Sequence, residues 1–345
     1  MGDRAKTKKD KDIAKIATVI VVGGMLLIFL LDIATVLLAN HDEKKYPIPQ
    51  EFFAFVGTNE GSRIHFLNTD NSDAILLESE GHFALIDSGW GSDNPNKNAR
   101  RTGYETRILD YLQRVARDAN GQVTLDFVLV THYHYDHAGG FAGILSDKNV
   151  NVKTAYFRPL QGALHNYELE RWELDEIHAR LLDVAAERGI PVEENPPTEP
   201  FAFGAMRLRF LNTDSYKNEK YSGENDNSVI TLVQYGKTRA LLTGDASNLH
   251  GLEKDIARQV GRVDLLKICH HGYFGSNSMF FLKTLQAKAG IVTNGLGQIY
   301  PNVKWNLTMV ARLPTYSTVR ENGIIATLRG DGTFYFTGNL HRTTE

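Results

Sequence analysis

Thr131-His132-Tyr133-His134-Tyr135-Asp136-His137-Ala138-Gly139-Gly140 follows directly on Leu125-Asp126-Phe127-Val128-Leu129-Val130, an apolar run short enough to be a buried strand. Four potential metal ligands therefore leave a strand end within six positions. Where the chain stays extended, His132 and His134 point to the same side. Asp136 and His137 follow at the turn, and the two glycines let backbone pass close to whatever is bound. Imidazoles and a carboxylate without thiolates suit zinc, with manganese or iron as the other candidates. A polar loop with a chance excess of histidine is the bland alternative. One histidine after a strand is usually that; three with an aspartate in this spacing rarely are.

Upstream, the first fifteen residues carry six Lys and Arg against three Asp. Residues 16–38 are almost wholly apolar, interrupted by Asp32. About twenty such residues cross a bilayer. Cations before the span place the N-terminus in the cytoplasm and the body outside. A cleaved signal peptide is the competing reading. Against it, the run is longer than an ordinary signal core, and Leu37-Leu38-Ala39-Asn40 is a poor cleavage site. The expected organisation is a basic tail at 1–15, an anchor at 16–38, a linker at 39–50 and one domain at 51–345. Asp32 has no account at this stage.

The formal charge of −3 becomes −5 for the body once the tail and Asp32 are set aside. An acidic body is a poor scaffold for wide nucleic-acid binding, which needs clustered Lys and Arg, so nucleic acid is disfavoured as a partner. Cys269 is the only cysteine, which excludes an intramolecular disulfide.

Within the body, strands are expected near residues 63–67, 74–78 and 82–87, a helix at 105–118, and a long charged helix at 166–188. Arg207-Leu208-Arg209-Phe210-Leu211-Asn212-Thr213-Asp214 repeats residues 63–70 at six of eight positions. The echo continues through Val229-Ile230-Thr231-Leu232 and Ala240-Leu241-Leu242-Thr243-Gly244-Asp245. Two β-rich halves are thus built on one plan, with Asp87 and Asp245 at equivalent strand ends. Helices and strands then alternate, and Gly330-Asp331-Gly332 marks a hairpin turn. Strands inside and helices between predict two sheets packed face to face with helices outside.

Ile268-Cys269-His270-His271-Gly272-Tyr273 is a second histidine cluster at a strand end. Adjacent residues of an extended chain point apart, so one histidine is expected to bind metal and the other to face substrate. Trp90, Tyr133, Tyr135 and Tyr273 lie near the ligand motifs in sequence. Their faces would suit a quaternary ammonium, or they are simply the walls of a cleft.

The pattern at 132–137 resembles the His-x-His-x-Asp-His signature of the metallo-β-lactamase superfamily of hydrolases at every position. Asp87-Ser88-Gly89, residues 242–245 and His270-His271-Gly272 resemble successive motifs of that superfamily, over roughly residues 63–272. The resemblance implies an αβ/βα sandwich, here preceded by one transmembrane helix, and two divalent ions. By carry-over, His132 and His134 bind the first metal, and Asp136, His137 and His271 the second. Asp245 bridges, and Asp87 buttresses a ligand from behind. Water held between the metals is then the nucleophile, with Asp136 and His270 as the catalytic residues. One departure stands out: most members supply a further first-metal histidine before the bridging Asp, and only His165 and His178 lie in that interval.

Within the superfamily, Phe66-Leu67-Asn68, Asp73-Ala74-Ile75-Leu76 and His270-His271-Gly272 resemble two subgroups, the hydrolase-like domain of ComEC and the phosphorylcholine esterases acting on teichoic acids. The implied function is a membrane-anchored, extracytoplasmic hydrolase of phosphodiesters, small or in an envelope polymer. Lactam, lactone or thioester hydrolysis, a manganese-dependent nuclease, and a non-catalytic surface binding module are the alternatives.

Overall fold

Most of the strands are apolar on both faces, which is the pattern of a sheet covered on both sides. The computed structural model describes residues 8–42, 46–48, 62–99, 101–160, 166–217 and 223–341. In chain order the strands are β1 Ser62–Phe66, β2 Ile75–Ser79, β3 His82–Ile86, β4 Val123–Leu125, β5 Phe127–Leu129, β6 Val150–Val152, β7 Ala155–Tyr156, β8 Val192–Glu193 and β9 Phe201–Phe203. They continue as β10 Met206–Leu211, β11 Ile230–Tyr235, β12 Thr238–Leu242, β13 Leu265–Lys267, β14 Ala289–Val292, β15 Thr315–Ser317, β16 Ile324–Leu328 and β17 Phe334–Gly338.

One large sheet runs β17-β16-β1-β2-β3-β5-β7-β8 and a second β15-β14-β13-β12-β11-β10-β9, while β4 and β6 pair in parallel apart from both. The sequence echo is a structural one. β1-β2-β3 and β10-β11-β12 are both antiparallel meanders, and each passes to a parallel neighbour, β5 or β13.

Side-chain alternation sorts the core. Ile75 and Leu77, Ala84 and Ile86, Phe127 and Leu129 face the second sheet and meet Leu208, Phe210, Ala240, Leu242 and Leu265 there. The residues between them, Leu76, Leu85 and Val128, face outward onto helices α2 (Glu105–Val115), α4 (Phe141–Ser146) and α6 (Leu174–Arg188). On the far side, Leu241, Leu266 and Val292 meet α7 (Leu252–Val260), α8 (Met279–Leu285) and α9 (Pro301–Trp305). Four layers result: helices, sheet, sheet, helices. Truncating a fully buried residue of the central layer such as Phe210 to Ala is expected to cost about 3–5 kcal/mol.

Two expected boundaries differ. The helix expected at 166–188 is broken into α5 (Asn166–Trp172) and α6, because Glu173 turns left-handed at φ 52°. The strand expected to end at the second histidine cluster stops at Lys267, and the histidines lie in a tight turn. The short helix α3 (Tyr135–Ala138) opens within the histidine motif. The N-terminal helix α1 (Lys8–Asp42) extends beyond 16–38 on both sides, and its segment Lys11–Ala34 is long and apolar enough to cross a membrane. Residues 51–61 of the expected domain and most of the linker lie outside the described residues.

Candidate metal centre

The motif loop is tied to the strand beside it. Asp87, directly after β3, accepts hydrogen bonds from the Thr131 backbone N–H at 2.8 Å and the Thr131 hydroxyl at 2.7 Å. The same carboxylate lies 2.8 Å from His137 Nδ1, which turns His137 Nε2 forward. There it meets Asp245 Oδ1 at 3.2 Å and His271 Nε2 at 3.2 Å. Asp136 Oδ2 is 3.5 Å from His271 Nε2. Ligand atoms of Asp136, His137, Asp245 and His271 all fall within 4.8 Å of one another.

Asp245 divides the site by its two oxygens. Oδ1 faces His137 and His271, while Oδ2 faces His132 Nε2 at 3.9 Å and His270 Nε2 at 3.7 Å. His132 Nε2 is in turn 3.2 Å from His134 Nδ1.

The donor set fits divalent metal. Asp245 Oδ1 is buried among polar groups, yet no well-aligned hydrogen bond satisfies it. The groups surround a common point rather than bond one another. Imidazole nitrogens 3.2 Å apart match the spacing of neighbouring ligands on a tetrahedral ion, about 3.3–3.4 Å for bonds near 2.0–2.1 Å. His134, His137 and His271 also have outer partners that fix their orientation. His134 Nε2 lies 3.0 Å from Glu168, and His271 Nδ1 lies 2.9 Å from the Thr293 hydroxyl, which donates to Asp73 at 2.6 Å.

Behind the pocket lies a buried cation. Lys267 Nζ is 2.5 Å from Asp73 Oδ2 and 3.6 Å from Asp245 Oδ1, and it donates to the Gly244 carbonyl at 2.8 Å. Burial opposes its charge, but Asp73 and Asp245 hold it protonated. The same carboxylates act on the rings. Burial disfavours charge on His271, yet Asp245 and Asp73 lift its pKa to about 9, and Asp245 and Asp87 raise His137 still more firmly. Burial together with the neighbouring His137 pushes His132 well below its ordinary value. Burial would raise Asp136, but His137 and His271 hold it down at about 2. Without metal, protons on His137 and His271 balance the acids.

Several expectations change. His270 and His271 do not point apart: both adopt left-handed backbone, at φ 49° and 50°, and both Nε2 atoms reach Asp245. His270, expected to face substrate, has its Nε2 3.7 Å from Asp245 Oδ2, the oxygen that also faces His132. His178 packs edge-on against Tyr133 at 4.8 Å, and His165 lies outside the described residues. Tyr133 and Tyr135 do not line a pocket. Both are buried in the core, their hydroxyls bonded to the Arg158 carbonyl and to Asp93. Trp90 is likewise buried, with its indole N–H on the Asn71 carbonyl. Tyr273 does stand beside the site, its ring 5.5 Å from His270.

Sequence reasoning missed Lys267, Glu168 and Trp172, whose ring lies 5.7 Å from His134. A lysine inside an otherwise apolar strand was the available signal for the first. Nothing local marked the other two.

Residues 67–200 match the family model described as the Metallo-beta-lactamase superfamily. Recombination protein 2 of Haemophilus influenzae is 26% identical over 278 residues, covering 76% of this chain and 28% of the relative. ComE operon protein 3 of Bacillus subtilis is 26% identical over 278 residues, covering 72% of this chain and 33% of the relative. The chain thus spans a third or less of the length of these relatives. Among solved structures, the metallo-β-lactamase fold protein YhfI of Bacillus subtilis is similar at a TM-score of 0.46 and 12% identity, covering 75% of this chain and 96% of that one. With the motif at 132–137 folded onto the edge of a two-sheet sandwich, residues 67–200 carry the match to the metallo-β-lactamase superfamily.

Proposed function

We propose that the protein is a membrane-anchored hydrolase of phosphodiesters that depends on a pair of divalent ions, with its site on the outer side of the membrane. The convergence of Asp136, His137, Asp245 and His271 from distant parts of the chain carries the reading. Asp136, His137, His271 and Asp245 Oδ1 would hold one ion; His132, His134, His270 and Asp245 Oδ2 would hold the other. Such a pair supplies an activated water at neutral pH and polarises a phosphoryl oxygen.

The chain's own residues do the rest. Asp87, Glu168 and Thr293 fix the rings, so the ligand set is preorganised before substrate arrives. Nearly complete burial of His132, His137, Asp245 and His271 excludes bulk water, while His134, Asp136 and His270 retain some exposure and mark the mouth. At that mouth the Asn225 side-chain amide, 3.3 Å from His270, offers an N–H to a phosphoryl oxygen. Zinc suits the ligands best, with manganese or iron as alternatives.

The test is turnover of bis-p-nitrophenyl phosphate and p-nitrophenyl phosphorylcholine by the full chain in detergent. Chelator-sensitive hydrolysis of either is expected; metal-loaded protein inert to both overturns the phosphodiester reading. A second reading, a manganese-dependent nuclease, is favoured by the likeness to a protein named for recombination. Plasmid nicking with manganese decides it.

A further inference from the structure

Outside α1, eight large apolar side chains are exposed among the described residues, and seven of them fall between Leu249 and Met309. A scattered Leu or Met on a surface needs no explanation, but a run of neighbours does. These are neighbours. Leu249 packs on the Gly275 backbone next to Phe274, whose ring lies 6.4 Å from Tyr300. Tyr300 leads into α9, which ends at Trp305, and a π-helical turn, Asn306–Ala311, carries Met309 onward. Cations edge the face: Arg258 lies over the exposed Phe280 ring at 5.8 Å, and Lys304 sits beside Trp305.

The patch is continuous at both ends with something already described. At one end Tyr300 lies 5.8 Å from Tyr273, which is 5.5 Å from His270 at the mouth of the site. At the other, α9 lies against the apolar helix. Ile28, Leu31 and Asp32 of α1 share a small cleft with Pro301, Lys304 and Trp305, and Lys304 Nζ reaches Asp32 Oδ1 at 3.4 Å. That pair gives Asp32 an account: an acid near the end of a span keeps a partner. The stretch from Ile28 to Ala34 rises about 9 Å, the depth over which an amphipathic surface enters the headgroup layer. Trp, Tyr and Lys are the residues that settle there.

We propose that the face formed by α9, the turn after it and the Phe274 loop lies in the headgroup layer of the bilayer that α1 enters, and that the site takes its phosphodiester from a lipid in that layer. The surface claim rests on α1 as a span. The substrate claim rests in addition on the phosphodiesterase reading. The geometry makes the two compatible, since Tyr273 and Tyr300 belong at once to the mouth and to the apolar face.

The sole native cysteine, Cys269, is fully buried, so a cysteine introduced at the surface is the one that reacts. Trp305→Cys and Met309→Cys are placed in the full chain in vesicles of phosphatidylcholine and phosphatidylglycerol, with Tyr335→Cys as the control. At 305 and 309, modification by a membrane-impermeant maleimide is expected to be at least about ten-fold slower than at 335, and an attached fluorophore to be quenched by spin-labelled lipid. Equal rates at 305 and 335 overturn the proposal, and so does protection without lipid quenching, which means that protein covers the face. In the second arm, Trp305→Asp with Met309→Asp is expected to lower hydrolysis of vesicle phosphatidylglycerol about ten-fold or more and leave bis-p-nitrophenyl phosphate turnover unchanged. An equal loss on both substrates, or none on either, overturns the lipid substrate. A wild-type chain inert to both sinks the phosphodiesterase reading and the lipid substrate with it, while the labelling still decides the surface.

Discussion

Lys267→Met isolates what the buried ammonium does. Its side chain is fully buried with Asp73 at 2.5 Å and Asp245 at 3.6 Å, so the substitution leaves Asp73 without its nearest cation and Asp245 without one of its cationic neighbours. At an effective dielectric of ~20, a unit pair 3.6 Å apart is worth about 5 kcal/mol. Removing one partner of a buried pair costs about 3–5 kcal/mol, since part of that attraction is offset by the desolvation no longer imposed on the lysine. In the metal-free protein the midpoint should therefore fall by on the order of 10 °C. Divalent ions neutralise Asp245 as well, so the metal-loaded variant should lose less, and metal should raise its midpoint more than it raises the wild type's. Lys288→Met is the control. That lysine is 2.7 Å from Asp264 but nearly half exposed, and a surface pair contributes at most about 1 kcal/mol. Thermal unfolding in detergent, with chelator and with zinc, reads all four cases. A Lys267→Met midpoint no lower than that of Lys288→Met refutes the charge argument, and an equal loss with and without metal refutes the coupling.

Glu168→Gln removes the charge that orients His134, so metal affinity by chelator competition should fall about 10–100-fold with the fold retained; unchanged affinity shows that the 3.0 Å contact does not orient the ring. His178→Ala should leave metal content unchanged, because that ring packs on Tyr133; loss of one ion per chain makes it a ligand instead. Zinc binding should release protons. His271, with a pKa near 9, and His137 carry protons at neutral pH that the ligand form must lose, so affinity should fall as pH drops below about 9. Calorimetry at pH 7 in buffers of different ionisation enthalpy checks this, and a buffer-independent heat contradicts it.

The sandwich was legible because its strands are buried on both faces and repeat in order. Leu76, Leu85 and Val128 are as apolar as their neighbours, although they face helices and not the second sheet. The ligand motif was legible because it is contiguous. What was not legible came from backbone conformation and distant partners. The alternation argument separates adjacent histidines only in extended chain, and left-handed φ values at His270 and His271 cancel it. Glu168 reaches His134 across 34 positions, and no spacing rule connects them. The aromatics at 133 and 135 were misassigned for a related reason: flanking a ligand in sequence sends a side chain away from the metal, here into the core.

The duplicated plan explains why two acids at equivalent strand ends have different work. β3 ends at Ile86 and Asp87 follows at once, whereas β12 ends at Leu242 and two residues intervene before Asp245. Thr243 occupies the position next to the strand, its hydroxyl donating to the Lys267 carbonyl, as Asp87 occupies it in the first half. Gly244 then turns left-handed at φ 50°, where a Cβ would come within 3.0 Å of the Ser228 side chain and 3.2 Å of Thr131. That turn needs a residue without a side chain. It carries the Asp245 carboxylate past the strand end and into the ring of histidines, while Asp87, lacking the extra step, stops behind His137. A two-residue difference between the halves thus separates the acid that would hold metal from the acid that aims a ligand.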